Sequence, residues 1–214
     1  MDLRGHGGSG RPNSGYDLQT LAGDALRVLD ALGIERAHLI GHSLGGRIAF
    51  AFAAAFPQRV ERLVIEEAHP APYLGAGEAY TRRTAELLTQ FPDKQAWAAH
   101  LRATRGESSS RWYLQSLDGV DSEGAPLWAF SVKSVVMAAQ ESMETDSWGV
   151  FSAVVAPMLL LVGEHSDRDI GRYVERMKAV QRGMEVVTVA GTEHWIHGAA
   201  PDRYTALVED FLRR

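Results

Sequence analysis

The sequence predicts an α/β fold with a mainly parallel sheet and helices on both faces. Short apolar runs typical of strands recur along the chain, and stretches with helical periodicity lie between and after them. One run, residues 157–162, is continuously apolar, as is typical of a parallel strand covered on both faces. Strands that alternate with helices are typical of a parallel sheet.

Each predicted element has its own local signal. The strand candidates are residues 37–40, 62–65, 157–162 and 184–189, and the helix candidates are residues 17–32, 47–56, 169–181 and 201–212. Pro57 ends the second helical stretch, which is apolar on every side and therefore indicates a buried helix.

Residues 70–154 interrupt the alternation. They contain helical patterns, such as residues 77–91 and 94–104, but no convincing buried strand. We therefore predict a core of residues 1–69 and 155–214 and a helical cap of residues 70–154. Cap aromatic side chains such as Trp128 are candidates for a substrate pocket, although most buried aromatic rings serve packing.

Composition excludes several classes of function. The 214 residues are 45% hydrophobic, carry a formal net charge of -5 and include no cysteine. Because the basic residues are scattered, we expect no nucleic-acid or membrane partner. No cofactor or metal is implied, and the absence of cysteine excludes a thiolate nucleophile. With no secretory signal pattern and no apolar stretch of spanning length, a cytoplasmic location is expected.

The segment from Gly41 to Gly45, GHSLG, matches the pattern G-x-S-x-G between a predicted strand and a predicted helix. In that context the serine hydroxyl projects from a sharp turn, where flanking side chains would collide with the strand and helix. The helix start also places the backbone N–H of Leu44 beside the hydroxyl as an oxyanion donor. The sequence therefore predicts Ser43 as a nucleophile.

A serine nucleophile needs a base, and in folds with this turn the chain order is nucleophile, acid, base. His194 lies in a loop after the last predicted strand and is our candidate, with His197 as its nearest rival. We expect His42, His69 and Trp195 to contribute to substrate binding.

The acid should follow the preceding strand, where the chain reads Gly163-Glu164-His165-Ser166-Asp167. Asp167 is our candidate, because a carboxylate here can accept the second ring N–H of the base and fix its tautomer. Glu67, after the strand at residues 62–65, is a second possible acid.

Four segments, DLRGHGGSGRP, GHSLGG, LLLVGEHSD and GTEHWIH, together resemble the α/β-hydrolase superfamily, in particular its cap-bearing esterase and meta-cleavage-product hydrolase branches. The resemblance runs over nearly the whole chain in the family's order. It implies Ser43 as nucleophile, Asp167 as acid and His194 as base. Glu193 departs from the glycine that usually precedes the histidine.

The resemblance also implies an amino-terminally shortened fold, because such proteins place the DLRGHG loop after four strands and here it begins at residue 2. The first three strands and the loop with the second oxyanion donor are then expected to be missing. Loss of one donor costs about 2.7 to 4 kcal/mol of transition-state stabilisation. His6-Gly7-Gly8 is superficially similar to a substitute, but we favour an ordinary loop.

A shortened sheet would leave the strand at residues 37–40 with an open apolar edge. Because open edges pair with other strands, we expect a homo-oligomer through this edge, or its coverage by the amino-terminal segment.

The expected function is that of a carboxylesterase-like serine hydrolase acting on a small apolar ester through an acyl-enzyme. One alternative is a catalytically impaired or receptor-like homologue that binds a small molecule. Another is a carbon–carbon hydrolase or a lyase of the menaquinone branch, of which the sequence GHSLGGR is reminiscent. Arg47 of that sequence is expected on the helix surface or in packing.

Overall fold

The computed structural model describes residues 1–85, 90–123, 125–166 and 169–214. Contacts divide the chain into two compact units. The cap unit comprises residues 1–16 and 74–144, and the sheet unit comprises residues 17–73 and 145–214. Residues 1–16 thus group with the segment predicted as the cap, whereas the sequence analysis assigned them to the core.

The elements follow one another in an α/β order. The strands are β1 (Ala37–His42), β2 (Val60–Glu66), β3 (Leu117–Val120), β4 (Pro126–Trp128), β5 (Met158–Gly163) and β6 (Glu185–Val189). The helices are α1 (Leu18–Ala31), α2 (Leu44–Ala55), α3 (Ala76–Ala85), α4 (Lys94–Gln115), α5 (Val132–Ala138), α6 (Trp148–Ser152), α7 (Ile170–Val180), α8 (Ile196–Ala199) and α9 (Pro201–Arg213).

The sheet unit contains a four-stranded sheet in the order β1-β2-β5-β6, and each neighbouring pair is parallel. His42 lies opposite Glu66 in the β1–β2 register, and Gly163 lies opposite Val189 in the β5–β6 register. The strands therefore end at one edge of the sheet, where parallel α/β folds place their ligands.

Side chains alternate between the two faces of the sheet, and each face has its own helices. On one face Val64 and Leu161 pack with Ile196 of α8 and with Val208 and Phe211 of α9. On the other face α2 contacts β1 and β2, and α1 packs on α2. All six residues of β5 are buried, which explains why that segment is continuously apolar.

Within the residues that the structure describes, strand β1 is one of the two edge strands of this sheet. Ile40 on β1 is 51% exposed, and Leu32, in the turn that follows α1, is 67% exposed. An apolar edge of this kind is the feature from which dimerisation was predicted, and dimerisation stays a prediction.

The cap unit has a separate hydrophobic cluster. Its buried members are Trp97, Leu101, Tyr113, Leu117, Trp128 and Phe130. The sequence showed no convincing buried strand in residues 70–154, and the two strands that the structure has there, β3 and β4, are short and only partly buried and form an antiparallel pair. These strands have four and three residues, too few to show an apolar pattern in the sequence.

Most predicted elements of the sheet unit are confirmed within a few residues. Helix α1 begins after Asp17, whose carboxylate accepts the backbone N–H of Thr20 and caps the helix.

In the cap unit, helix α4 extends further than predicted, since it reaches Gln115. No helix in the described part of the chain is long and apolar enough to cross a membrane.

Candidate active site

Ser43 occupies the sharp turn between β1 and α2. Its backbone has φ 54° and ψ -118°, a conformation that side-chain-bearing residues rarely adopt and that is typical of strained functional turns. The Ser43 N–H donates to the carbonyl of Glu66 at the end of the neighbouring strand, at 2.8 Å. Leu44 is the first residue of α2, so its N–H has no acceptor within the helix.

The glycines around Ser43 have unequal roles. A Cβ atom at Gly41 would lie 2.2 Å from the carbonyl oxygen of Gly45, and one at Gly46 would lie 2.9 Å from the Cβ atom of Ala68. A Cβ atom at Gly45 would meet nothing within 4 Å. The predicted collision is therefore found at Gly41 and not at Gly45, and Gly46, outside the motif, is a further position where a side chain would collide.

The predicted base, His194, contacts the buried side-chain carboxylate of Glu67, the residue that directly follows β2. Its Nδ1 atom lies 3.2 Å from Oε2 of Glu67. The side chain of His194 is 8% exposed and that of Glu67 is fully buried. Because a carboxylate accepts, Nδ1 of the neutral ring carries the proton, and Nε2 keeps a lone pair that can take a proton from a hydroxyl.

Glu67 is held in place by more than the histidine. Its Oε1 atom accepts the N–H of Gly163 at 2.7 Å, and Oε2 accepts the hydroxyl of Ser166 at 2.5 Å. Its backbone has φ 56°, so it is strained like that of Ser43. Glu67 was the second candidate for the acid. The first candidate, Asp167, lies outside the described residues and stays a prediction.

The loop that carries His194, residues 190–195, packs closely against the carboxyl end of β5. A Cβ atom at Gly163 would lie 2.5 Å from the carbonyl oxygen of Glu193, so this glycine permits the approach. Glu193, the residue that departs from the family's usual glycine, is itself exposed.

His42 links the Ser43 turn to the base. Its Nε2 atom lies 2.8 Å from the carbonyl oxygen of His194, and its ring centroid lies 4.5 Å from each of the rings of His194 and Trp195. Since a carbonyl only accepts, His42 Nε2 is the donor. Burial, with a further contribution from His194, lowers the pKa of His42 to about 4, so the ring is neutral at neutral pH. The side chain of His42 thus contacts the backbone of His194, and the ring of Trp195 lies beside the ring of His42.

His197, the rival base, has a different carboxylate. Its Nδ1 atom lies 2.9 Å from both carboxylate oxygens of Glu66, and its backbone N–H donates to the same group at 3.1 Å. The hydrogen bond that His197 donates to Glu66 raises the pKa of His197. Burial alone would raise the pKa of Glu66. The hydrogen bonds from His197, together with the electrostatic effect of the nearby His42, keep that pKa below its ordinary value. Sequence reasoning did not single out Glu66, although two consecutive acids at the end of an apolar strand were a usable signal.

Arg47 is fully buried, so of the two positions expected for it, the helix surface or packing, the structure shows packing. Its guanidinium donates to the carbonyls of His69, Ala71 and Thr145 at 2.5, 3.0 and 2.6 Å, and to the hydroxyl of Ser147 at 2.9 Å. Burial lowers the pKa of Arg47 to about 10, and the group remains a cation at neutral pH. Arg47 therefore ties the segment after β2 to the segment before α6.

The other predicted substrate contacts occupy different settings. His69 is buried and stacks on Tyr73, with ring centroids 4.1 Å apart and planes at 22°. Trp128 is 8% exposed and stacks on Phe130 within the cap unit's cluster. Their roles in substrate binding stay predictions.

The glycine-rich loop of the cap unit has its backbone donors engaged. The N–H groups of His6, Gly7 and Gly8 donate to Leu3 O, Ala129 O and Asp2 Oδ2 at 2.9, 2.5 and 3.0 Å. An oxyanion donor must offer an N–H that is not already bound, so these contacts favour the ordinary loop. As to metals, the described ranges contain no group of three or more His, Asp or Glu side chains arranged to hold an ion.

Comparison with known families gives one match that covers most of the chain. Residues 1–201 match the family described as "alpha/beta hydrolase fold". A putative esterase/lipase of Haemophilus influenzae is 24% identical over 100% of this chain and 73% of its own length. The esterase YbfF of Escherichia coli is 27% identical over 99% of this chain and 81% of its own length.

A similar solved structure is that of E-2-(acetamidomethylene)succinate hydrolase. It superposes with a TM-score of 0.88 at 24% identity, over 100% of this chain and 80% of the other. At this identity the structural likeness supports the fold, and the arrangement of Ser43, His194 and Glu67 must support any function.

Proposed function

This chain belongs to the alpha/beta hydrolase fold family, and we propose that it is a serine hydrolase of the carboxylesterase type acting on small apolar esters. The observation that carries the proposal is the buried contact between His194 and Glu67, beside the strained turn of Ser43. Esterase names among the relatives are consistent with it.

In the first half of the proposed reaction, the Ser43 hydroxyl attacks the ester carbonyl while Nε2 of His194 takes its proton. The C–O bond to the alcohol then breaks, and the alkoxide leaves with the proton from the imidazolium. The carboxylate of Glu67 stabilises the positive charge on the ring during this step. The product is an acyl group on Ser43 and a free alcohol.

In the second half, water attacks the acyl-enzyme with His194 again as base. The proton returns to the oxygen of Ser43 as the acyl C–O bond breaks, and the carboxylic acid is released. The N–H of Leu44, at the start of α2, is the proposed donor to the oxyanion in both halves.

A second candidate is an impaired homologue that binds a small molecule with little turnover. The observation that favours it is the engagement of the N–H groups of His6, Gly7 and Gly8 by other acceptors. With one oxyanion donor fewer, the rate falls by about 10² to 10³. The enzyme would then form an acyl adduct slowly without losing the nucleophile.

The lyase alternative has less support. Its sequence signal was Arg47, and a lyase that binds an anionic substrate through that residue needs an accessible guanidinium. Arg47 is instead fully buried and donates to three backbone carbonyls and one hydroxyl. These contacts favour a structural role for this arginine.

Hydrolysis of p-nitrophenyl acetate and butyrate tests the proposal. We expect turnover by the wild-type chain and a fall of about 10⁶ in kcat for Ser43→Ala, which leaves only the background rate. Ser152→Ala is the matched control, because the Ser152 hydroxyl is exposed and donates to the carbonyl of Gly149 in its own helix.

Two outcomes would contradict the proposed esterase. Turnover that survives in Ser43→Ala would exclude Ser43 as the nucleophile. A folded wild-type chain that is labelled by a fluorophosphonate at Ser43 but hydrolyses neither ester would favour the impaired homologue.

A further inference from the structure

A second carboxylate lies beside the one that contacts His194. Glu66 is the last residue of β2 and is 1% exposed, and it precedes Glu67 directly in the chain. Burying a carboxylate is costly unless its oxygens accept hydrogen bonds. Glu66 receives them from the backbone N–H and the ring of His197.

The contacts of Glu66 fall on the segment that follows the base. His197 belongs to α8, which begins two residues after His194. The N–H groups of Gly198 and Ala199 both donate to the carbonyl of Trp195. Ile196, at the start of this turn, is fully buried in the core with α9. Glu66 therefore fixes the first turn of backbone after the base.

His42 holds the same loop from the side of Ser43. Its Nε2–H donates to the backbone carbonyl of His194 at 2.8 Å, and its ring meets the ring of His197 edge-on at 5.2 Å. The side chain of His42 thus contacts both the backbone of His194 and the ring of His197, the residue that donates to Glu66. The residue that provides this contact is the direct neighbour of the nucleophile in the chain.

The other end of the loop is held differently. Oε2 of Glu164 accepts the N–H of Gly191 at 2.8 Å, but the Glu164 side chain is 49% exposed. A hydrogen bond in water is weaker and less restrictive than one to a buried carboxylate. Of the two carboxylate contacts on this loop, the one at His197 is therefore to a buried group and the one at Gly191 is to an exposed group.

We propose that Glu66, His197 and His42 are positioning residues that fix the backbone of His194, so that its ring is held against Glu67 and directed at Ser43. This inference rests on the proposed function for its kinetic consequences. None of the three residues needs to touch the substrate for this role. A displacement of the base by about 1 Å is enough to lower the rate by about 10².

The kinetic test uses Glu66→Gln, which keeps the shape of the side chain and removes its charge. We expect kcat for p-nitrophenyl butyrate to fall by about 10², with KM changed by less than about threefold, because substrate contacts remain. Glu164→Gln is the matched control, because Glu164 follows β5 and its carboxylate contacts the other end of the loop at Gly191. It should leave both constants within about twofold.

A second pair of variants tests the His42 contact. His42→Leu removes the donor to the His194 carbonyl and should lower kcat, whereas the amide of His42→Gln can donate in its place and should restore most of the rate. A solely structural role for His42 predicts that the two variants behave alike. That result, or an unchanged kcat in folded Glu66→Gln, would overturn the proposal.

A readout independent of turnover separates this proposal from the proposed function. In ¹⁵N spectra of the imidazole rings, wild-type His194 should show its proton at Nδ1, and Glu66→Gln and His42→Leu should redistribute that proton or broaden the signal. If the wild-type chain hydrolyses no ester, the proposed function fails, and the spectra alone decide the positioning role. An unchanged His194 signal in both variants would overturn it.

Discussion

Glu66 and Glu67 are neighbours in the chain, yet they bind two histidines in different surroundings. The pair formed by Glu67 and His194 is enclosed, with side chains 0% and 8% exposed, whereas His197 opposite Glu66 is 42% exposed. Glu66 is the last residue of β2, whereas Glu67 follows the strand with a φ of 56°, so the two consecutive carboxylates reach different residues of the loop that carries the histidines. The comparison shows that the same two residue types can form a candidate catalytic pair and a supporting pair within four residues.

Removing the charge of Glu67 should have the largest effect. Without the carboxylate the His194 ring loses the acceptor that selects its tautomer, and we expect Glu67→Gln to lower kcat by about 10⁴. Steady-state hydrolysis of p-nitrophenyl butyrate measures this fall in kcat, and Asp167→Asn is assayed in parallel. The contrary ranking, a large loss in Asp167→Asn and a small one in Glu67→Gln, would make Asp167 the acid.

His42 lies between the two pairs and should make stability sensitive to acid. Burial holds the pKa of His42 at about 4 in the folded state, against 6.5 for an ordinary histidine. The unfolded chain therefore binds the proton first, and stability from this group is lost as the pH falls from 6.5 towards 4. Between pH 7 and pH 5 the loss is about 2 kcal/mol.

Urea unfolding at the two pH values measures this loss in wild type and in His42→Gln, which cannot titrate at this position. The variant should lose about 2 kcal/mol less than wild type on acidification. Equal losses in the two proteins would show that His42 is not the residue responsible.

His197 should show a smaller effect of opposite sign. Its hydrogen bond to Glu66 raises its pKa, so the stability that it contributes is complete below pH 6.5 and is lost as the pH rises through the raised folded value. Glu66, His42 and Tyr204 are the titratable groups around it, and burial followed by the Glu66 carboxylate raises the pKa of Tyr204. The half-exposed ring limits the size of the effect.

The difference in unfolding free energy between wild type and His197→Gln should therefore shrink from pH 6 to pH 9. Chemical denaturation across that range measures the difference, and Glu164→Gln, in the segment after β5, is a control that leaves the contact between His197 and Glu66 in place. A difference that grows with pH would contradict the assigned direction of the His197 pKa.

The two pairs also show how far the sequence could lead. The turn at Ser43 and the position of His194 follow from local patterns, because a motif flanked by a strand and a helix constrains the backbone. The contact between His194 and Glu67 does not follow from local patterns. It depends on the positive φ of Glu67 and on the close approach of Gly163 to Glu193. The contacts of Glu67 with Gly163 and His194 join residues that lie 96 and 127 positions apart in the chain.

Two other features also could not be read from local patterns. The sequence left Arg47 open between the helix surface and packing, and its guanidinium finds acceptors in segments far along the chain. The pairing of β3 with β4 involves strands of four and three residues, which are too short for periodicity to mark. Long-range hydrogen bonds therefore decide the position of Arg47, whereas the β3–β4 pair is a local hairpin whose strands are too short to recognise in the sequence.

The most direct test of the central claim is fluorophosphonate labelling of the intact chain, followed by peptide mass spectrometry. We predict a single adduct at Ser43 in the wild-type protein, formed far more slowly in Glu67→Gln and absent in Ser43→Ala. No adduct at Ser43 in the folded wild-type chain, or an adduct that forms at the same rate in Glu67→Gln, would contradict an activated serine supported by His194 and Glu67.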